Sequence, residues 1–279
     1  MSILDEIRVH KEQEVTARQA HRPLSEIIAA CNDAPPVRRL KDALAGDATG
    51  TIRLIAEVKR RSPTRGDLRP NADAPALAAT YCAAGAAAVS VLTDEHFFSG
   101  ADADLTAVRA RIPAPILRKD FTITSYQIYE ARSIGADAIL LIVSMLTDEL
   151  LETFLDTADC LGMDALVEVH SEEEARRAAT VRAQIIGINN RDLTTFTVDL
   201  GTTERIRPLL PAGSTIVAES GILTRADVER VQAAGATAAL VGEALVTAED
   251  PAAKVRELLG RQPAPVAGSA AEPSARSGA

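Results

Sequence analysis

The sequence predicts an α/β fold, a (β/α)8 barrel with an extra N-terminal helical extension. Three observations predict it. Eight short apolar runs recur along 279 residues, the length usual for one such barrel. Helix-like segments separate the runs. Most runs are continuously apolar rather than alternating, as parallel strands covered on both faces require.

The runs are Arg53–Lys59, Ala88–Leu92, Pro115–Arg118, Asp137–Val143, Asp164–Val169, Gln184–Asn189, Ser214–Glu219 and Ala238–Val241. Between them lie segments such as Thr147–Leu161, Ser171–Ala179 and Thr224–Ala234. Gly85, Gly135 and Gly235 stand just past helical segments, where glycine ends a helix in a left-handed conformation. The alternative is a doubly wound open sheet, but no GxGxxG motif follows the first strand. The first fifty residues read as helices broken at Pro23 and Pro35–Pro36, with Ile3, Leu4, Ile7, Lys11 and Val15 along one face. One domain, residues 1–260, is expected to include these helices. Residues 261–279, rich in Ala, Ser, Gly and Pro, are expected to be a disordered tail.

Hydrophobic residues make up 47% of the chain and charged residues 25%, enough for a large core and a soluble surface. The net charge of -9 argues against general affinity for nucleic acid or an anionic membrane. An anionic substrate then needs a local basic pocket. With neither a membrane span nor an apolar signal core, a cytoplasmic location is expected. The three cysteines, Cys31, Cys82 and Cys160, are widely spaced and imply neither a disulfide framework nor a zinc site. Cys82 reads as a small core residue. The four histidines form no metal motif, so no metal is expected.

Catalytic groups of such barrels sit at the C-terminal ends of the strands. Charges interrupt the apolar runs there: Glu57 and Lys59, Thr93-Asp94, Arg118-Lys119-Asp120, Glu168 with His170, Asn189 to Asp192, and Glu219-Ser220-Gly221. Glu57 and Lys59, two apart on one strand, point to one face. A buried ion pair that only stabilises the barrel is their alternative reading. Lys119 and Glu168, held apart in a semi-apolar pocket, suit a general acid and a general base; solvated strand-end charges are the alternative. Ser220-Gly221 and Gly242 resemble a phosphate cradle on the last two loops. Glu243 is awkward there and is expected to turn its carboxylate away. The loop from Arg60 to Gly66 is basic and flexible, suited to closing over an anionic substrate. Phe97, Phe98 and Phe121 lie just beyond strand ends and can either hold an aromatic ring or pack the core.

Taken together, these segments resemble the indole-3-glycerol-phosphate synthase family over residues 2 to 260. The resemblance rests on Ile55-Ala56-Glu57-Val58-Lys59 with Ser62-Pro63 and Gly66, and on Val91-Leu92-Thr93-Asp94 with Phe97-Phe98-Ser99-Gly100. Ile116 to Phe121 with Gln127 and Glu130, Leu166 to His170, Ile186 to Leu193, and Ala218 to Ile222 follow in the same order. It implies ring closure, decarboxylation and dehydration of 1-(2-carboxyphenylamino)-1-deoxyribulose 5-phosphate, without cofactor or metal. It implies Lys119 as general acid and Glu168 as general base, assisted by Lys59 and Glu57. Asn189 and Arg191 orient the substrate, and Glu219 joins the same polar ring. Phe98 and Phe121 flank the anthranilate ring. Ser62, Pro63, Leu193, Ser220, Gly221, Leu240, Gly242 and Glu243 complete the substrate site. The expected partner is a small phosphorylated molecule, and the chain is expected to be a monomer. Three rivals are a phosphoribosylanthranilate isomerase, a Schiff-base aldolase using Lys59 or Lys119, and a phosphometabolite sensor. The first needs a strand-end cysteine, which Cys82 does not supply.

Overall fold

The computed structural model describes residues 3–46 and 50–261. The segment expected to be a tail lies outside them, apart from Arg261. Eight parallel strands close into a barrel: β1 (Arg53–Val58), β2 (Ala88–Leu92), β3 (Ile116–Lys119), β4 (Ala138–Ile142), β5 (Asp164–Val169), β6 (Ile185–Asn189), β7 (Thr215–Glu219) and β8 (Ala238–Val241). Each pairs with its chain neighbours, and β1 closes the ring against β8 with Ile55 opposite Leu240. Nearly every strand residue is buried, as the continuous apolar runs imply.

The long outer helices begin where the sequence places caps. Thr147, Ser171 and Thr224 each accept a hydrogen bond from the first turn of α8 (Asp148–Cys160), α9 (Glu172–Thr180) and α11 (Arg225–Ala233). Gly85, at φ 113°, ends α4 (Ala74–Ala84). Cys82 lies on that helix, half-buried against the core.

Two buried ionic knots tie the N-terminal extension to the barrel. At the top, α1 (Ile3–His21) carries Lys11, which is fully buried. Its Nζ lies 2.9 Å from both Asp94 and Asp120, beyond the ends of β2 and β3, and 2.8 Å from Glu14. Lys11 belongs to the apolar face of α1 because its stem packs and its charge meets carboxylates. Arg18 continues the tie, 2.6 Å from Asp102 and 3.0 Å from Glu130. At the other end, Asp137 accepts hydrogen bonds from Arg38 N at 2.7 Å and Ile116 N at 2.8 Å, and pairs with Arg109 at 2.5 Å. The helix α3 (Leu40–Leu44) lies across that end, with Leu40 and Leu44 fully buried and Lys41 N donating to Asp164. The extension therefore clasps the barrel at both ends.

Candidate active site

The C-terminal ends of the strands open into a cavity of about 600 Å³. Strand register sets its floor. Leu92 lies beside Lys119, Ile142 beside Glu168, and Glu219 between Asn189 and Leu240. A one-residue slip in any strand would turn these groups outward. On β3 the parity is explicit: Lys119 lines the cavity, while Arg118 points outward and is buried against Asp102 and Glu130, each at 2.8 Å. Arg118 and Asp120 therefore build the wall that holds Lys119.

Within the cavity the charges touch. Lys119 Nζ lies 2.5 Å from Glu168 Oε2 and 2.8 Å from Glu219 Oε2. The expectation that Lys119 and Glu168 are held apart is corrected: opposite charges in a low-dielectric floor pair directly. Asn189 Nδ2 donates to the other Glu168 oxygen at 3.1 Å. Glu57 and Lys59 form a second pair at 2.7 Å. A Cβ on Gly242 would stand 2.3 Å from Glu57 Oε1 and 3.2 Å from Lys59 Nζ, so this glycine lets the pair lean against the end of β8.

Burial and neighbours set the proton affinities. Burial would lower that of Lys119, but Glu168, Glu219 and Glu57 outweigh it and raise it. Burial would raise Glu168, but Lys119 and His170 hold its carboxyl well below the usual range. Glu219 is pushed up to about 7, by burial first and by the negative charges of Glu168 and Glu57 against the opposing pull of Lys119. Two carboxylates share one ammonium, and their affinities part.

A glycine makes room for Glu219. On Gly187 of β6 a Cβ would stand 2.0 Å from Glu219 Oε1. Gly187→Ala is therefore expected to displace Glu219 and lower kcat by about tenfold or more, since misplacement on the ångström scale suffices. Melting temperature and turnover measured on one preparation check this. Unchanged turnover would show that Glu219 tolerates the shift.

The rim carries the other expected binding residues. Phe98 and Phe121 face the cavity with ring centroids 6.0 Å apart, in contact with each other, and together form one aromatic wall. Phe97 does not face it and packs edge-on against His10 and His96. Ser62, Pro63, Arg191, Leu193, Ser220, Gly221, Leu240, Gly242 and Glu243 all line the cavity. Ser220 has φ 63°, a left-handed backbone rare for a residue with a side chain.

The first loop differs from expectation. It holds a short hairpin, Arg61–Ser62 against Gly66–Asp67, and its arginines are mostly engaged elsewhere. Arg60 binds Asp104 of α6 (Asp102–Arg111) and the Ala72 carbonyl, and Arg61 lies 3.9 Å from Asp67. Only Arg65 reaches across the mouth, 3.1 Å from Glu243. The Glu243 carboxylate thus turns to a cation on the facing loop.

Sequence reasoning left out part of the site. Ile3, Leu4 and Ile7 of α1 line the cavity, as do Leu140, Ile142, Phe196, Val198 and Leu223. The apolar stripe of α1 was the available signal; which surface it covers depends on the Lys11 contacts. His170 was visible at the end of β5, but its distance from Glu168 was not. Among the described residues, no three His, Cys, Asp or Glu side chains converge on a metal site.

A closed parallel barrel with a paired lysine and two carboxylates at its catalytic end defines the class: a barrel enzyme equipped for acid–base chemistry. A family model described as indole-3-glycerol phosphate synthase matches residues 4–258. The indole-3-glycerol phosphate synthase of Roseiflexus sp. (strain RS-1) is 50% identical over 267 residues, 93% of this chain and 98% of that protein. Indole-3-glycerol phosphate synthase 1 of Streptomyces coelicolor is 46% identical over 95% of this chain and 98% of its own. The chain belongs to the indole-3-glycerol phosphate synthase family. Among solved structures, 3-hexulose-6-phosphate synthase superposes with a TM-score of 0.56 at 18% identity, covering 75% of this chain and 99% of that one, which shows the shared barrel alone.

Proposed function

We propose that this cavity closes the indole ring of 1-(2-carboxyphenylamino)-1-deoxyribulose 5-phosphate, releasing carbon dioxide and water to give indole-3-glycerol phosphate. The activity is that of a carboxy-lyase of tryptophan biosynthesis, the function of the family. The observation that carries the roles is the Lys119–Glu168–Glu219 contact in the floor. Ring closure onto a carbonyl develops negative charge on its oxygen, and Lys119, fully protonated, is the acid placed to meet it. Closure replaces the bond to the carboxylate, which leaves as carbon dioxide; Glu168 is ionised and takes the C–H proton lost when the closed ring is dehydrated. The two roles reinforce each other. Once Lys119 gives its proton away, Glu168 loses a neighbouring positive charge and becomes a stronger base.

Glu57 and Lys59 assist at the carbonyl and the departing carboxylate, with Asn189 and Arg191 orienting the substrate. Phe98 and Phe121 hold the aromatic ring. Ser62, Ser220, Gly221 and Gly242 receive the phosphate, and the backbone of Glu243 joins them while Arg65 neutralises its carboxylate. Pro63, Leu193 and Leu240 shape the walls. No cofactor enters these roles. Purified protein incubated with the substrate should develop indole fluorescence; a substrate that stays unconverted would overturn the reading. We further propose a cytoplasmic monomer that binds neither nucleic acid nor membrane. The net charge of -9 disfavours nucleic acid and anionic membranes, and among the described residues no helix is long and apolar enough to cross a membrane.

Glu219 gives the reading a pH signature. Below pH about 7 it carries a proton, and the cavity holds one more unit of positive charge for an anionic substrate. KM is therefore expected to rise as pH climbs through this value. Glu219→Gln cannot ionise and should lose that step. A step that persists in this variant would assign it to another group.

A further inference from the structure

His170 follows β5 directly and is nearly buried, with a side-chain exposure of 10%. It does not line the cavity, so it does not touch substrate. Both ring nitrogens face carboxylates. Nε2 lies 3.2 Å from Glu168 Oε1, and Nδ1 lies 3.2 Å from Glu174 Oε2 on α9. The His170 backbone N–H donates to the same Glu174 oxygen at 2.8 Å, which fixes the ring against the helix. Nδ1 makes a hydrogen-bonding contact with Glu174, whereas Nε2 meets Glu168 at ion-pair distance without hydrogen-bond alignment; an imidazolium, charged over the whole ring, is drawn to both carboxylates, as a neutral ring is not. The charged groups facing the ring are Glu168 from its own strand and Glu174 from α9. Lys119 of β3 and Glu219 of β7 stand on the far side of Glu168.

We propose that His170, as an imidazolium braced by Glu174, is a positioning residue that fixes the Glu168 carboxylate and keeps a positive charge beside it when Lys119 gives up its proton. This rests on Glu168 being the general base. Lys119 and His170 sit at opposite oxygens of Glu168, Oε2 and Oε1. When Lys119 becomes neutral during turnover, the Oε1 side keeps its cation. The carboxylate then stays ionised and aimed while its basicity rises. Burial alone would lower the affinity of the ring for its proton, but Glu168 and Glu174 push it up to about 10, so the charge persists through the working range.

The test is a pH series of kcat on variants of the whole chain. His170→Gln removes the charge but keeps an amide of similar reach. It is expected to lower kcat by about tenfold with KM little changed. The acid limb should move up by about one pH unit, because a carboxylate that loses a cation binds its proton more tightly. His170→Lys, which restores a cation, should return the acid limb toward its original position. Should either variant fail to fold, Glu174→Gln leaves the imidazole in place and takes away its outer carboxylate. The ring then loses its proton more easily, and a fall in kcat should appear at lower pH on the alkaline side. An acid limb unmoved in His170→Gln, or an alkaline limb unmoved in Glu174→Gln, overturns the proposal. Glu168→Gln made in parallel separates the two readings. If it turns over normally, the assignment of the base fails. If it is inactive while His170→Gln keeps its profile, only the role of His170 fails.

Discussion

Lys119→Ala is expected to lower kcat by about 10²–10⁴, the usual range for loss of a general acid. Lys119 contacts both Glu168 and Glu219, so its removal acts twice. It takes away the proton donor, and it leaves two buried carboxylates facing each other across the floor. Glu219 already binds its proton near neutral pH, and without Lys119 that affinity climbs further, so this carboxyl goes neutral instead of unfolding the barrel. Substrate affinity should largely survive, because phosphate and ring are held at the rim. Steady-state kinetics together with a ligand titration of the inactive variant check both halves. Turnover near wild type would remove Lys119 from the chemistry.

Glu168→Gln is expected to lower kcat by a comparable factor of about 10²–10⁴, with KM changed far less, since the lost interaction belongs to the transition state. The amide keeps the size of the carboxyl and its oxygen can still accept from Lys119, while its NH2 then faces the Asn189 nitrogen that had donated to the carboxylate. It cannot accept a proton. Lys119 and His170 hold the wild-type carboxyl well below the usual range, so its acid limb lies at low pH. Activity supported by ionised Glu168 is present above that low value and is lost as pH falls through it. In Glu168→Gln that limb should flatten. A defect confined to KM would make Glu168 a binding residue instead.

Most of the framework was legible in the sequence because it depends on local pattern. The boundaries of β2, β5 and β8 coincide with their apolar runs, and the other five strands lie within one residue of theirs at either end. Thr147, Ser171 and Thr224 mark helix starts through contacts within one turn, so they too could be read directly. That Glu57 and Lys59 share one face followed from strand parity. What remained hidden was set by distance in space. Arg60 looks like a substrate cation until Asp104 is found beside it, and Phe97 looks like a ring clamp until His10 and His96 cover it. The direct contact of Lys119 with Glu168 was equally invisible, as was the charge it imposes. Parity gives the face a side chain occupies but says nothing of what stands opposite.

The buried place of Lys11 also bears on the order in which this molecule can be assembled. Its two barrel partners, Asp94 and Asp120, lie far downstream in the chain. During synthesis α1 leaves the ribosome before β2 and β3, and of the carboxylates around its ammonium only Glu14 is then present. An early helix with an apolar face and an unmatched charge stays solvated, because burying the charge alone costs several kcal/mol. Hydrogen exchange of α1 amides should accordingly track global unfolding instead of the fast fraying of a free terminus. A helix made before the strands it ties is thus committed after them, and its docking reports that the first strands of the ring stand in register.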